Sequence, residues 1–318
     1  MSIVDNERLI VKICELYYMY DMSQKEISAK LGVSRPQVSR ILAAAREKHI
    51  VSISIRNPFS RETELERSLI GRYGLKDALV LNAGGETSEE RLAAFGSEAS
   101  VLIEDYVPQD STVGLMSGNT VKAIVDALPR GTKKLRMTVP LVGAINTTDV
   151  ENHANSIARK IAGFHNSPAM TLNAPAYVSD PELAKALKAE ENISKVLEAG
   201  KNCSVSVVGI GNLDMDATNI REQGLREEDL EELRAEGAVA SVCCSYLNRD
   251  GEEVGQTIAE RSIGLRLREL KKSRIIAAAI GHSKIGAIEA ALKSGCIDVL
   301  VTNLVTAKGL LEKQAEAG

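Results

Sequence analysis

Residues 23–42 have the sequence SQKEISAKLGVSRPQVSRIL, which predicts two short helices joined by a tight turn. Ser23 is placed to cap the first helix, and Glu26, three residues later, completes a capping box. Ser34 is placed to cap the second helix, with Gln37 again at the third position. Two capped helices in such close succession predict a helix-turn-helix.

The turn and the apolar spacing agree with this interpretation. Gly32 supplies the permissive backbone that a tight turn needs. Pro36 is tolerated because it falls in the first turn of the second helix, where no backbone donor is yet committed. The apolar residues at spacings that let both helices share one small core are Ile27, Leu31, Val33, Val38, Ile41 and Leu42.

The exposed side of the second helix is polar and basic, with no acidic residue between Ser34 and Arg46. A plain helical hairpin with a solvated polar face is the alternative interpretation. The two caps, the missing acidic residues and the position ahead of a much larger body favour a helix that enters the major groove of DNA. The predicted DNA-contacting residues are Lys25, Ser34, Arg35, Gln37, Ser39 and Arg40.

Length and composition bound the fold. A chain of 318 residues predicts two or three domains with a sizeable core. The sequence is 44% hydrophobic but only 3% aromatic, and this balance of small aliphatic residues suits an α/β protein. Lys and Arg outnumber Asp and Glu by nine to six through Arg56, whereas the remainder has thirty against thirty-seven. A mildly basic head on an acidic body indicates a site-specific binder with a separate sensor.

Cysteine spacing and hydropathy argue against a metal-binding, secreted or membrane protein. None of the five cysteines forms a C-x-x-C pair, so we predict no metal site, and we also predict no cofactor. No signal peptide precedes the helix-turn-helix, and no apolar run approaches the length of a membrane span. We therefore expect a cytoplasmic protein with reduced thiols and no membrane partner.

The pattern along the chain predicts a DNA-binding domain at 1–56, a linker helix within 57–75 and an effector domain at 76–318. The segment Glu7–Tyr20 has helical spacing and supplies the first helix of the head. Residues 49–56 alternate in hydropathy and predict a strand, either part of a wing or the start of the connection. The linker helix, Ser60–Tyr73, either rests on the body or helps the heads dimerise.

From Ala78 onward, predicted strands alternate with predicted helices, which indicates a Rossmann-like parallel sheet covered on both faces. The predicted strands are Ala78–Leu81, Thr112–Met116, Arg136–Leu141, Ala169–Leu172, Ser204–Ile210, Ala238–Cys243, Arg274–Ala279 and Val299–Thr302. The main predicted helices are Glu89–Tyr106, Thr120–Leu128, Asn155–Ala162, Pro181–Leu187, Ile193–Ala199, Glu227–Ala235 and Ile285–Lys293.

Ligands bind at the carboxyl ends of the strands in such folds, and several strand ends here are polar. Ser117, Gly118, Asn119 and Thr120 lead from a strand into a helix whose positive end favours an anion, although a structural turn also explains Gly118. Gly211 follows another strand and carries a weaker signal. Lys284 opens a helix against the usual dipole preference, which a bound anion would offset, unless the lysine is merely exposed. Thr302-Asn303 stands at a fourth strand end.

His153, in Asn152-His153-Ala154-Asn155, precedes another predicted helix. A lone histidine at that position is either a cap or packing residue or a ligand contact. The residues alone leave both roles open.

Taken in order, these motifs resemble the SorC/DeoR-type sugar-binding transcriptional regulators over nearly the whole chain. In the head the resemblance covers Tyr17-Tyr18 and residues 23–40. In the body the matching segments are 140–143, 154–159, 174–176, 208–211, 263–264, 284–292 and 297–300. The ordered series is specific, whereas no single body motif is.

The resemblance implies a body related to phosphosugar isomerases and deaminases of the ribose-phosphate isomerase type, retained as a sensor. It also implies a phosphorylated sugar or related polyol as effector, and a homodimer or homotetramer bound to a palindromic operator. Residues 117–120, His153 and Lys284 fall on effector-contacting positions.

The chain departs from the family pattern at a few positions in the expected pocket. Met116 and Ser117 replace a usual small residue and Trp, and Val142 stands where some relatives have a basic residue. Ser241 and Asn303 are neutral where the family carries acidic residues. Fewer charges in the pocket indicate a ligand that differs from the best-known effectors, such as a less phosphorylated sugar or a polyol phosphate.

The sequence is therefore compatible with three functions. The first is a transcriptional regulator whose operator affinity depends on a sugar-type effector. The second is a sugar-phosphate isomerase or deaminase that carries a DNA-binding head; the neutral Ser241 and Asn303 argue against it, since aldose–ketose chemistry needs a carboxylate base. The third is an architectural DNA binder without a ligand, which the polar strand-end loops disfavour.

Overall fold

The computed structural model describes residues 7–48, 50–51, 60–128, 131, 133–145, 149–213 and 224–312. The chain forms two compact units, residues 1–58 and residues 59–318. The first unit holds three helices: α1 (Glu7–Tyr18), α2 (Gln24–Leu31) and α3 (Arg35–Glu47). Most of the segment at 49–56 that predicts a strand lies outside the described residues.

The caps of the helix-turn-helix form as the sequence predicts. The Ser23 N–H donates to Glu26 Oε2 at 2.8 Å, and the Glu26 N–H donates to Ser23 Oγ at 3.3 Å. Gly32 ends α2 with a φ of 66°, a left-handed conformation that glycine adopts without the clash of a Cβ atom. At the start of α3 the Ser34 N–H donates to Gln37 Oε1 at 2.8 Å. These bonds fix the points at which α2 and α3 begin.

The first unit has its own small core, to which all three helices contribute. Leu31 and Val33, expected in this core, are only half-buried and pack against it. Its fully buried apolar residues are Ile10, Ile13, Cys14, Ile27, Val38, Ile41, Leu42 and Ala45.

The second unit begins with α4 (Ser60–Tyr73), which matches the predicted linker helix. Among the described residues that follow, ten strands form: β1 (Asp77–Leu81), β2 (Thr112–Leu115), β3 (Met137–Pro140), β4 (Val205–Gly209), β5 (Gly211–Asn212), β6 (Ala238–Val242), β7 (Ser245–Asn248), β8 (Glu253–Val254), β9 (Arg274–Ala278) and β10 (Val299–Asn303). The described helices are α5 (Ser88–Tyr106), α6 (Asn119–Asp126), α7 (Ala154–Phe164), α8 (Pro181–Ala189), α9 (Glu191–Lys201), α10 (Glu227–Ala235), α11 (Gln256–Glu260), α12 (Ile285–Lys293) and α13 (Leu304–Glu312). None of these described helices is long and apolar enough to cross a membrane.

A six-stranded parallel sheet forms the centre of this unit, in the order β1-β10-β9-β4-β2-β3. Helices α4, α9, α12 and α13 pack on one face, and α5, α6 and α7 pack on the other. Because helices cover both faces of the sheet, the sequence of β9 does not alternate between apolar and polar residues. Ile275 is buried on the face covered by α4, α9, α12 and α13, and Ile276 is buried on the face covered by α5, α6 and α7. The strand order reverses between β2 and β4, which makes their carboxyl ends a topological switch point.

Two predicted strands differ in the structure. Residues 238–242 (β6) lie in a separate antiparallel sheet, β5-β6-β7-β8, and not in the parallel one. Only Cys243 and Cys244 separate β6 from β7, and so short a link permits only an antiparallel pair. Of Ala169–Leu172, only Ala169 forms a bridge, to Thr138, because the Asn155 side chain takes both backbone groups of Leu172.

A buried ion pair fastens α10 to the body. Asp229 is 3% exposed and Arg261 is 5% exposed, and their side chains are hydrogen-bonded. Arg261 Nη1 also donates to the Val178 carbonyl at 3.2 Å, and Asp229 Oδ2 accepts from the Arg226 N–H at 2.8 Å. Asp229 also lies 3.6 Å from Arg226 Nη2, whereas the charge of Arg261 is compensated among the described residues by Asp229.

We predict that Asp229→Asn destabilises the chain by about 3 kcal/mol, because it leaves the Arg261 charge buried without a counter-ion. Urea unfolding followed by circular dichroism measures this change. Lys185→Gln, which removes the exposed Lys185–Glu182 pair, is the control and should cost less than about 1 kcal/mol. Asp229→Asn combined with Arg261→Met should recover part of the loss; equal losses in Asp229→Asn and the control would contradict the argument.

Candidate functional site

A cavity of about 130 Å³ opens at the carboxyl ends of β2 and β4, where the strand order reverses. Its lining includes the loop after β2 (residues 116–120), the loop after β4 (209–211), the loop that ends in Lys284, and residues 142 and 145 after β3. The antiparallel sheet closes one side through Ser241 and Cys243. The structure thus brings together at one site all the predicted effector-contacting residues except His153.

The loop after β2 is shaped by a glycine and a neighbouring asparagine. Gly118 has a φ of 134°, which side chains rarely tolerate, and its N–H donates to Asn152 Oδ1 at 3.1 Å. Asn152 Nδ2 in turn donates to Asn119 Oδ1 at 2.6 Å. Ser117 and Thr120 line the cavity and are each only 7% exposed. The positive end of α6 therefore faces the cavity, framed by two hydroxyls and two amides.

Lys284 is the one cation among the described residues that line the cavity. Its Nζ donates to the Ile210 carbonyl at 3.1 Å. In the described part of the chain, no carboxylate lies within ion-pair distance of this ammonium. Burial lowers the pKa of Lys284, because desolvation penalises its charged form. Lys284 also stands at the N-terminus of α12, where the helix dipole disfavours a cation.

A glycine is required at position 211, because Ser241 of the neighbouring strand β6 lies close to its backbone. It pairs with Ser241 across β5 and β6, and a Cβ at Gly211 would lie 2.5 Å from Ser241 Oγ. The hydroxyl of Ser241 is thereby held against the backbone at the cavity. None of the described lining residues carries a carboxylate.

One wall of the cavity is apolar and sulfur-rich. The Cys243 N–H donates to Met116 Sδ at 3.3 Å, and Cys243 has a φ of 53° at the β6–β7 turn. Burial raises the pKa of Cys243 and raises that of Cys244 to about 11, so both thiols stay neutral. Tyr177 completes this wall, and its hydroxyl lies 2.7 Å from that of Tyr246.

His153 lies beside the cavity but does not line it. It caps α7, and its Nε2 is buried without a hydrogen-bond partner among the described residues. Its neighbour Asn152 lines the cavity instead. The sequence motif indicated Asn152 only as the flank of His153, so it located the right segment but not the lining residue.

Asn303, at the fourth polar strand end, has a structural role. Its Oδ1 accepts from the Thr306 N–H at 3.0 Å and so caps α13, and the residue does not line the cavity. Sequence reasoning also missed Tyr177 and the two cysteines as lining residues. They belong to apolar runs, which carry no signal for a binding site.

In the head, the predicted DNA-contacting surface is formed by α3 and the start of α2. Arg35, Ser39 and Arg40 are exposed on α3, as are Ser34 before it and Lys25 on α2. Gln37 is half-buried, and its Oε1 accepts from both the N–H and the hydroxyl of Ser34. This leaves the Gln37 amide nitrogen as its outward group.

Comparison with known families identifies both units. The Sugar-bind model, which describes a sugar-binding domain, matches residues 57–312, and the model of sigma-70 region 4 matches residues 5–48. The first match covers most of the chain. The chain belongs to the Sugar-bind family.

Several transcriptional regulators resemble the chain along nearly its full length. The sorbitol operon regulator of Klebsiella pneumoniae is 29% identical, with 97% of this chain and 99% of that protein covered. The deoxyribonucleoside regulator of Bacillus subtilis is 27% identical, with 96% and 98% covered. The erythritol catabolism regulatory protein EryD of Brucella abortus is 26% identical, with 96% and 97% covered.

Solved structures from the Sugar-bind family have the same architecture. Full-length SorC from Klebsiella pneumoniae superimposes with a TM-score of 0.74 at 28% identity, and covers 96% of this chain and 99% of its own. A DeoR family transcriptional regulator from Listeria monocytogenes gives a TM-score of 0.73 at 29% identity, and covers 79% of this chain and 100% of its own. The predicted resemblance to SorC/DeoR-type transcriptional regulators and the predicted fold class are confirmed.

We predict that Lys284→Met raises the melting temperature of the ligand-free chain at pH 7, because it removes a desolvated ammonium that has no counter-ion. Since burial lowers the pKa of Lys284 in the folded state, the penalty is complete below that pKa. It should vanish as the pH rises toward the ordinary lysine pKa of about 10.4.

Differential scanning fluorimetry between pH 7 and 10 checks this difference, with Lys185→Met, an exposed lysine, as the matched control. The control should melt like the wild type at every pH. A Lys284→Met variant that melts below the wild type throughout this range would show that the ammonium is compensated in the folded chain.

Proposed function

We propose that the chain binds operator DNA through α3 and that a phosphorylated sugar or polyol in the cavity controls this binding. The observation that carries the proposal is Lys284, a half-buried ammonium in a cavity whose described lining residues include no carboxylate. Such a charge is costly unless an anion compensates it. A ligand with one anionic end supplies that compensation.

The cavity is chemically divided in a way that suits such a ligand. Lys284 and the N-terminus of α6 are positive and favour a phosphate group. Asn119, Asn152 and Ser241 offer donors and acceptors for hydroxyl groups, whereas the wall of Met116, Cys243 and Cys244 suits a carbon chain. The names of three relatives point to polyhydroxy compounds: sorbitol, a deoxyribonucleoside and erythritol.

On the DNA side, the proposal assigns base contacts to Arg35, Gln37 and Ser39 at the start of α3. Arg40 and Lys25 are assigned to phosphates, with Ser34 at the N-terminus of the helix. Transcriptional regulators and the operators that they bind are usually two-fold symmetric. We therefore propose that the chain forms a homodimer or homotetramer on a palindromic site. A chain that acts on operator DNA works in the cytoplasm.

We further propose that the chain is not an enzyme. Proton transfer between sugar carbons needs a general base beside the substrate, most often a carboxylate or histidine. Ser241 is neutral, Asn303 is occupied as a helix cap, and the described lining residues include neither type of base. An assay that detects turnover of a sugar phosphate by the purified chain would overturn this part of the proposal.

A thermal-shift screen tests the sensor half with matched pairs of compounds. Sorbitol, erythritol and 2-deoxyribose are each used free and as the terminal phosphate ester. We expect at least one ester to raise the melting temperature, because a ligand that binds only the folded state stabilises it. The corresponding free compound should act more weakly, and Lys284→Met should abolish the difference. If no ester shifts the wild type, the proposed effector class is wrong.

Arg35→Ala tests the DNA half. We expect a loss of about 1–3 kcal/mol on an operator selected from random duplexes, together with a relaxed preference at one base pair. Gel-shift titration measures both effects. Lys12→Ala, which removes an exposed lysine of α1 outside the proposed contact surface, should change affinity much less. An unchanged site preference in Arg35→Ala would remove Arg35 from the base-contacting set.

A further inference from the structure

Helix α13 is joined to the loop that carries Lys284. The Gly281 N–H donates to Thr306 Oγ1 at 3.0 Å, and Thr306 is fully buried in the first turn of α13. The Thr306 N–H is itself fixed by Asn303 Oδ1 at 3.0 Å. Gly281 has a φ of 122°, so the backbone at this point adopts a conformation that its neighbours must hold in place.

A second contact joins the other end of the same loop to α13. Ile285 follows Lys284 directly and packs against the backbone at Gly309, where a Cβ would lie 2.3 Å from Ile285 Cδ1. The absence of a side chain at Gly309 is what permits this approach. Both ends of the loop from Gly281 to Ile285 therefore contact α13.

The opposite end of α13 is held by the linker helix α4. Arg72 Nη1 donates to the carbonyls of Leu310 at 2.8 Å and Leu311 at 3.1 Å. The Tyr73 hydroxyl donates to the Leu310 carbonyl at 3.3 Å. A cation at the carboxyl end of a helix satisfies its free carbonyls and is favoured by the helix dipole.

These two sets of contacts are close together on one rigid element. Thr306 and Leu310 are four residues apart in a continuous helix, which corresponds to about 6 Å along its axis. Ala307 and Leu310 are buried in the core between the parallel sheet and helices α4, α9 and α12. The helix therefore cannot deform between its ends without loss of packing. A displacement of the Lys284 loop is therefore passed to the carbonyls that Arg72 holds.

We propose that α13 transmits occupancy of the cavity to α4, which follows the DNA-binding head in the chain. Thr306 is a positioning residue for the Lys284 loop, and Arg72 is the anchor on the linker helix. An anion that draws in Lys284 favours one position of the loop, and α13 carries that preference to α4. This inference rests on the proposed function and adds a route of regulation to it.

The experiment measures the coupling factor, which is the ratio of operator dissociation constants with and without saturating phosphate ester. The full chain is used, with the selected operator and whichever ester of sorbitol, erythritol or 2-deoxyribose gives the largest thermal shift. Arg72→Gln should reduce the factor from a typical 5- to 150-fold to within about twofold of one. Its affinities for the ester alone and the operator alone should stay within about threefold of wild type.

Arg67→Gln, an exposed arginine on the same helix, is the matched control and should retain the wild-type factor. At the other end, Thr306→Val should also uncouple the two sites, whereas Thr306→Ser, which keeps the hydroxyl, should restore coupling. Circular dichroism and melting curves establish that each variant is folded.

The outcomes separate the inference from the function on which it rests. A wild-type chain that shows no coupling overturns the proposed function, and the relay with it. A wild-type chain that couples, with Arg72→Gln and Thr306→Val equally coupled, overturns the relay alone. Loss of coupling in both variants, with retention in Arg67→Gln and Thr306→Ser, supports it.

Discussion

The constraint on which the site depends is the ammonium of Lys284, which is half-buried at the N-terminus of α12 with only the Ile210 carbonyl as a described partner. A cation in that position is disfavoured by desolvation and by the helix dipole. The carboxyl ends of β2 and β4 nevertheless bring it to the same cavity as the positive end of α6. Two positive features that converge on one space define a place for an anion, and the polar and apolar walls then select what the anion is attached to.

The fold serves this site through its topology. The connections that follow β2 and β4 lead to opposite sides of the sheet, where the strand order reverses, and this leaves a crevice at the carboxyl ends of the two strands. The small antiparallel sheet covers one side of the crevice, since Gly211 allows Ser241 to approach its backbone. The helix-turn-helix, by contrast, needs only its own caps and core. In the proposed relay, the contacts of α4 with α13 carry the effect of the ligand toward the head, which precedes α4 in the chain.

Local signals predicted a large part of this structure. Capping residues such as Ser23 and the apolar runs of the parallel strands specify their elements without reference to the rest of the chain. The position of Lys284 at the candidate site was predictable, because a lysine at a helix N-terminus conflicts with the helix dipole. Two strand predictions failed for different reasons. The two-residue link to β7 places β6 in a second, antiparallel sheet, whereas Asn155, distant in sequence, takes the backbone groups that Leu172 would need as a strand. Helix α13, the segment that joins cavity and linker, was not predicted, because Asn303 resembles a ligand-contacting strand end until its bond to Thr306 is seen.

The most direct test of the account is the pKa of Lys284, measured by NMR titration of the ¹³Cε-lysine-labelled chain with Lys284→Met to assign the resonance. In the ligand-free chain the account predicts a pKa below the ordinary lysine value of about 10.4. It predicts that the phosphate ester which stabilises the chain raises this pKa, because the anion favours the charged form. An ordinary pKa in the ligand-free chain that the ester leaves unchanged would contradict the account.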